Sequence, residues 1–432
     1  MVIIMKEICN CGKEHVFTSL VLSGEGVINA LPRELEKRNL KKAFLLADKN
    51  TYKAAGEKVS ALLKENGISV CEYIFQSEKL EPNEENVGLA VMNYNTGSDV
   101  LVAVGSGVIN DIGKIVANIA NKPYVIVATA PSMDGYASAS SSMTREGLKI
   151  SLSSKCADII VGDAHILASA PTKMMASGLG DMIAKYISIC EWRISNLING
   201  EYYCEKVAEL VRSSLKNCID NIDGLMKKEK GAVLAVFDGL ITCGAAMKFA
   251  GVSRPASGIE HYISHIWDMR GVEFNTPVEL HGIQCAIGTL ISAKLYEKLK
   301  TVKPDEKKAL EYVKGFNFTE WSEVLRNFLG KGATSMVALE EKEQKYNPET
   351  HKERLKKIIE NWDNILKIVD EEIPSAKEIE KILNKVSLPK LPEEIGIDKS
   401  ILPLTIKSAK DIRDKYVLPR LLWDLGIIEE MM

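Results

Sequence analysis

Three of the chain's six histidines, His261, His265 and His281, fall within 21 residues. His261 and His265 are four apart in Ile259-Glu260-His261-Tyr262-Ile263-Ser264-His265, a spacing that puts both rings on one face of a helix. His281 opens the next helix as His281-Gly282-Ile283-Gln284, and an antiparallel or angled helix pair would bring it beside His261. Upstream, Gly178-Leu179-Gly180-Asp181-Met182-Ile183-Ala184-Lys185 is read as a helix start, with the Asp181 carboxylate in the first turn and the Lys185 cation one turn later. Two imidazoles and a carboxylate with a fourth position open are what a catalytic divalent metal requires. Each residue also has a plainer reading. Asp181 could stabilise its helix start, and any one histidine could be a satisfied core or surface residue. The clustering in one helical region favours the joint reading.

A second constellation suits a phosphate. Asp99-Val100-Leu101-Val102-Ala103-Val104 reads as a strand and runs into Gly105-Ser106-Gly107-Val108-Ile109-Asn110-Asp111, where a helix begins. Glycines after a strand let backbone N–H groups approach a pyrophosphate, and the helix N-terminus favours its charge. The third glycine of the usual G-x-G-x-x-G pattern is absent, so this turn alone is as consistent with a plain tight turn. The next strand ends in Thr129-Ala130-Pro131-Ser132-Met133-Asp134-Gly135-Tyr136-Ala137-Ser138, a loop dense in hydroxyls, and two such loops on adjacent strands build one crevice. Asp48, closing an earlier strand, is placed either to accept from an adenosine ribose, favouring NAD over NADP, or to cap the turn at Lys49-Asn50-Thr51. Nine cysteines are scattered without framework spacing and are expected as reduced thiols. Cys9-Asn10-Cys11 with His15 supplies three potential metal ligands, with a structural or incidental role as the preferred reading over zinc.

The elements that must position these groups fall into two patterns. As far as about residue 170, short apolar strands alternate with helical stretches, which implies βαβ units and a mostly parallel sheet. From Pro171 onward long helical periodicity dominates, over residues 177–195, 202–229, 232–250, 281–300, 352–369, 375–386 and 405–424. The fold class expected is α/β, with a Rossmann-like nucleotide-binding domain at 1–170 followed by an all-helical metal- and substrate-binding domain at 171–432. Charged runs such as Glu340-Glu341-Lys342-Glu343 read as solvated faces. A net charge of −3 among 432 residues advertises no basic surface for nucleic acid. No window approaches the roughly 20 uninterrupted apolar residues of a membrane span. Met1–Glu7 gains charge too soon for a signal peptide, so a cytoplasmic location is expected.

The order of these motifs resembles the superfamily of iron-dependent alcohol dehydrogenases and dehydroquinate synthases, and most closely its sn-glycerol-1-phosphate dehydrogenases of bacterial type. The resemblance is carried by Gly105 to Lys114, Thr129 to Gly135, Gly178-Leu179-Gly180-Asp181, Ser253-Arg254-Pro255-Ala256-Ser257-Gly258-Ile259-Glu260-His261, His281-Gly282 and Ile412-Arg413-Asp414-Lys415-Tyr416. It implies that Gly107 to Asp111, Thr129 to Ser132 and Ser138 contact NAD(H) or NADP(H). It implies that Asp181, His261 and His281 bind one zinc, nickel or iron ion, and that Asp134 and His265 hold the substrate, with Asp181 also in reach. The expected reaction is reversible reduction of dihydroxyacetone phosphate to sn-glycerol 1-phosphate. His265 would orient the substrate or relay a proton, since an ordinary imidazole populates both states near neutrality. Arg254 and Lys185 are the candidates for the phosphate, Arg for its forked donors. The alternatives are an unphosphorylated polyol dehydrogenase and a lyase of the dehydroquinate synthase type. A homodimer is the favoured assembly.

Overall fold

The computed structural model describes residues 6–432, so the charged start Met1–Glu7 lies largely outside the described residues. Compactness divides the chain into two units. The first holds residues up to Glu146, Ile150–Met182 and Glu209–Val252, and the second holds Gly147–Lys149, Ile183–Ala208 and Ser253–Met432. This differs from a single cut at 170/171, because Glu209–Val252 joins the sheet-bearing unit.

The first unit begins with a hairpin of β1 (Lys6–Ile8) and β2 (Glu14–Val16). Six strands then form one wholly parallel sheet: β3 (Leu20–Gly24), β4 (Lys42–Asp48), β5 (Ser69–Phe75), β6 (Val100–Gly105), β7 (Tyr124–Ala128) and β10 (Ile159–Asp163). β8 (Ser140–Arg145) and β9 (Leu148–Ser153) are short strands outside it. Spatial order is β3-β10-β7-β6-β4-β5. Every residue of β6, β7 and β10 is buried, as continuous apolar runs covered on both faces should be. The chain leaves β4 toward β5 on one side and, from β6, builds toward β7 on the other. The carboxyl ends of β4 and β6 therefore flank the point where a parallel sheet opens its ligand crevice.

The reason Glu209–Val252 belongs here lies in two glycines. A Cβ on Gly162 in β10 would lie 2.1 Å from the Phe237 ring, so the glycine is what lets the helix Lys230–Ala250 lie against the sheet. A Cβ on Gly244, two turns on, would lie 2.9 Å from the Asp134 carbonyl oxygen, so the same helix seats the Asp134–Ala137 turn. This 21-residue helix is long and apolar enough to cross a membrane by length and composition, but 78% of its apolar window is buried inside the protein. Its hydrophobicity is accounted for by packing.

The second unit is built from helices, among them Lys185–Asn199, Ile259–Phe274, His281–Leu299, Pro348–Glu360, Trp362–Glu372 and Leu418–Asp424. Three further helices, Glu306–Gly315, Phe318–Leu329 and Gly332–Glu343, occupy the stretch between 300 and 350. The expected helix 405–424 is two, Leu402–Ala409 and Leu418–Asp424, with Ile412 to Tyr416 in the intervening turn. Pro419 at the second position of the later helix explains the restart. Glu340 is not on a solvated face: it is buried, with Lys345 paired to it at 2.5 Å.

Candidate functional site

In the first unit, β6 delivers Gly105 and Ser106 to the N-terminus of the helix Gly107–Ile119. A Cβ on Gly105 would stand 2.5 Å from that of Ile109, so only glycine permits this tight entry. The missing third glycine has a replacement further along. A Cβ on Gly113 would meet the Tyr124 hydroxyl at 2.9 Å and Ala103 at 3.1 Å, so Gly113 supplies the close helix-to-sheet packing. Val108, Ile109, Asn110 and Asp111 form the first turns, with Asn110 and Ile109 buried.

The loop after β7 docks beside this turn, its Thr129 N–H donating to the Gly105 carbonyl at 3.1 Å. Thr129, Ala130, Pro131 and Ser132 are buried, and the Tyr136 hydroxyl donates to the Ala130 carbonyl at 2.7 Å. The organising residue is Lys114, which the sequence reading passed over. Fully buried, its Nζ donates to the Gly135 carbonyl, to Ser138 Oγ at 3.1 Å and to the Ser140 carbonyl at 3.0 Å. Asn110, one turn earlier, donates to the same Gly135 carbonyl at 3.2 Å. Two polar residues four apart among the apolar positions of one helix were the available signal. Burial lowers the Lys114 pKa, with the nearby Asp111 charge opposing.

Asp48 caps its helix. Its carboxylate accepts from the Asn50 and Thr51 N–H groups at 2.8 Å each, in a reciprocal box with Thr51. Asp181 is not in a first turn: it sits in the last turn of the helix Thr172–Ile183, and Lys185 opens the next one. The Asp181 carboxylate is buried and accepts from the Asp134 N–H at 2.9 Å. One turn before it, a Cβ on Gly178 would come within 1.8 Å of the Pro131 carbonyl oxygen. The Gly-x-Gly-Asp run thus presses this helix onto the Thr129–Ser138 loop and sets Asp181 against Asp134.

In the second unit the three histidines converge. The His261 and His281 rings lie 5.0 Å apart between centroids, and His265 stacks on His281 at 5.7 Å. His261 Nδ1 is 2.8 Å from Glu260 Oε1, and His281 Nδ1 is 3.0 Å from Ser264 Oγ. Glu260 and Ser264 thus hold the two rings through Nδ1, the outer-shell arrangement usual for ligating histidines, and His281 Nε2 lies 3.5 Å from Cys285 Sγ. Cys285, one turn after His281, also enters: His261, His281 and Cys285 offer ligand atoms all within 4.8 Å of one another. That thiol was read as one of a scattered set, although its i,i+4 spacing from His281 was visible. Burial raises its pKa, but His261 and His281 outweigh this and hold it below the usual thiol value.

His265 does not behave as an ordinary imidazole. Burial, then the charges of His281 and Arg413, hold its pKa well below the usual value, so it is neutral at pH 7 and offers a hydrogen bond rather than a labile charge. Arg254 is not placed to grip a phosphate. It is buried, its Nε and Nη2 pair with Glu201 at 2.8 and 2.6 Å, and its Nη1 donates to the Tyr416 carbonyl at 2.8 Å. Its forked donors hold the 412–416 turn instead. Lys185 is likewise buried and donates to the Ala256 carbonyl at 3.0 Å.

Residues 22–171 match the model of the iron-containing alcohol dehydrogenase family. The chain is 28% identical over 415 residues to the glycerol-1-phosphate dehydrogenase [NAD(P)+] of Halalkalibacterium halodurans, covering 95% of this chain and 94% of that protein. It is 31% identical over 296 residues to the protein of the same name from Bacillus licheniformis, covering 67% of this chain and 74% of that one. This chain belongs to the glycerol-1-phosphate dehydrogenase family. Its fold matches the crystal structure of maleylacetate reductase from Agrobacterium tumefaciens with a TM-score of 0.63, at 14% identity, over 96% of this chain and 95% of the other. Membership makes the chain an oxidoreductase, and it puts the glycine turn and the histidine cluster in a family context that neither unit alone would supply.

Proposed function

We propose that this chain reduces dihydroxyacetone phosphate to sn-glycerol 1-phosphate, reversibly, with NADH or NADPH. The observation that carries the reading is the convergence of His261 and His281, their rings 5.0 Å apart and each held through Nδ1 by Glu260 or Ser264, in a chain whose relatives bear that enzyme's name. Asp181, His261 and His281 would hold one divalent ion, zinc, nickel or iron, and their mixed carboxylate and imidazole donors suit all three. When bound, that ion polarises the C2 oxygen of the substrate, and the nicotinamide supplies the hydride.

The remaining work belongs to the chain. The first unit binds the dinucleotide: the helix N-terminus, Gly107 to Asp111, receives the pyrophosphate through the N–H groups of its first turn, and Thr129 to Ser132 with Ser138 line the nicotinamide side. Asp48 is the ribose candidate, its cap holding the carboxylate in a fixed orientation. Neutral His265 donates to or accepts from a substrate hydroxyl, and Asp134 orients the opposite end. With Arg254 and Lys185 committed to structural bonds, we assign the phosphate to Arg413, whose charge is felt at His265. We take the enzyme to be a cytoplasmic homodimer, which light scattering of the purified protein tests.

Metal-replete protein supplied with dihydroxyacetone phosphate should oxidise NADH stoichiometrically and lose this with a chelator. Arg413→Gln should raise KM for the phosphorylated ketone with less effect on kcat. Turnover of glycerol with indifference to the phosphorylated ketone would replace this substrate with a free polyol, and product formation without net NADH consumption would mean a lyase.

A further inference from the structure

The hairpin that opens the described chain is too short to stand alone. Its strands have three residues each, and the register pairs Glu7 with His15 and Ile8 with Glu14. Isolated two-stranded hairpins are marginal in water. The connecting turn is tightly closed, with the Gly12 N–H donating to the Cys9 carbonyl at 2.9 Å and the Cys9 N–H donating to the Lys13 carbonyl at 3.0 Å. Gly12 takes a φ of +80°, which only a residue without Cβ adopts freely. This turn folds the three chemically distinctive side chains of the segment onto one spot. Cys11 Sγ lies 3.4 Å from His15 Nε2, and the ligand atoms of Cys9, Cys11 and His15 all fall within 4.8 Å of one another. A tetrahedral zinc ion with its usual Zn–S and Zn–N lengths separates a sulfur from a nitrogen by about 3.6 Å and two sulfurs by about 3.8 Å. The hairpin is close to that spacing.

The surroundings fit a structural ion. Cys9 and His15 are buried, at 7% and 1% exposure. The His15 ring packs on Phe249 at 5.3 Å between centroids, and Lys13 Nζ donates to the Ala250 carbonyl at 3.4 Å. The hairpin is thereby seated on the C-terminal end of the helix Lys230–Ala250, the helix that seats the Asp134–Ala137 turn.

We propose that Cys9, Cys11 and His15 bind a structural zinc ion, separate from the ion of the catalytic centre, which locks this hairpin onto the sheet-bearing unit. Two thiolates and an imidazole are soft, zinc-selective donors, whereas the catalytic set is built on a carboxylate and imidazoles. A tetrahedral ion takes a fourth donor, either a water or another of the nine cysteines.

The test is cobalt substitution of the full-length protein in a Cys285→Ser background, which removes the one thiol beside the catalytic histidines. That protein should bind cobalt with a thiolate-to-metal charge-transfer band, and adding Cys11→Ser should abolish the band and remove one equivalent of metal. Serine replacement of each remaining cysteine in turn identifies the fourth donor by loss of band intensity. If Cys11→Ser fails to fold, alkylation decides on the unmutated chain. Zinc should slow labelling of Cys9 and Cys11 by at least tenfold relative to chelator-treated protein. Absence of the band in the Cys285→Ser protein, or labelling of Cys9 and Cys11 at equal rates with and without zinc, overturns the proposal. Neither outcome touches the assignment of Asp181, His261 and His281.

Discussion

Gly178→Ala is the smallest change that should disturb chemistry through packing alone. The added methyl would lie 1.8 Å from the Pro131 carbonyl oxygen and 2.8 Å from its carbonyl carbon. Both are backbone atoms of the Thr129–Ser138 loop, so no side-chain rotation relieves the contact. Ordinary contact begins near 3.4 Å, so helix and loop must part by about 1.6 Å along that line. Overpacking of this kind costs about 1–3 kcal/mol. The same displacement acts one turn later, where Asp181 accepts from the Asp134 N–H at 2.9 Å. Because misplacement by about 1 Å can cost on the order of 100-fold in rate, kcat should fall by about that factor. Metal affinity should weaken and the melting temperature should drop. Gly231→Ala is the matched control: it lies at the start of the helix Lys230–Ala250 with nothing within 4 Å of the added carbon, and it should be neutral or slightly stabilising. Steady-state kinetics, metal analysis and thermal melting of both variants make the comparison. A Gly178→Ala enzyme as active and as stable as Gly231→Ala would refute the view that this contact sets Asp181.

Glu260→Gln weakens the hold on His261 Nδ1, so metal affinity should fall by about 10–100-fold, measured by chelator competition, while helix content stays unchanged. Unaltered affinity would mean that Glu260 does not tune the ligand. Lys114→Met removes the charged donor from the Gly135 and Ser140 carbonyls and leaves them only the neutral donors of Asn110 and Ser138. Hydrogen bonds to a charged group are worth about 1.5–3 kcal/mol, so urea unfolding should shift to lower concentration and NADH should bind more weakly in fluorescence titration. Wild-type values for both would remove Lys114 from its organising role. Glu191 is fully buried, and burial first, then the Glu260 charge, push its carboxyl up from 4.5 to about 8. The folded state therefore keeps a proton that the unfolded state gives up near 4.5. That contribution to stability is whole below pH 4.5 and is lost as pH rises to about 8. Glu191→Gln should flatten the decline in melting temperature across that window, and an identical profile for both proteins would contradict the assignment.

What the sequence showed most clearly was whatever depends on short-range pattern. The buried runs of β6 and β7 and the glycine turn between β6 and its helix follow directly from apolar continuity and φ/ψ freedom. The i,i+4 spacing of His261 and His265 lies within one helix, as the periodicity required. Harder to read were features fixed by distant partners. Arg254 looked like a phosphate ligand because a guanidinium usually finds an anion, but the anion is Glu201, 53 residues away in sequence. Asp181 looked like a helix start because two glycines precede it, yet Gly178 makes a close approach to Pro131 in the body of the helix. For Lys114 the spacing from Asn110 marked a polar pair on an apolar helix, but the carbonyls that satisfy it lie 21 and 26 residues away in sequence. The placement of Glu209–Val252 with the sheet turns on Phe237 meeting Gly162, a pairing that periodicity cannot reveal.

The most direct test of the account is a crystal of the nickel- or zinc-loaded enzyme with NADH, measured at the absorption edge of the metal. The account predicts an anomalous peak about 2.0–2.2 Å from an Asp181 oxygen and from Nε2 of both His261 and His281, with the nicotinamide ring adjacent. A peak held by His281 and Cys285 without Asp181, or none at the histidine cluster, would contradict it.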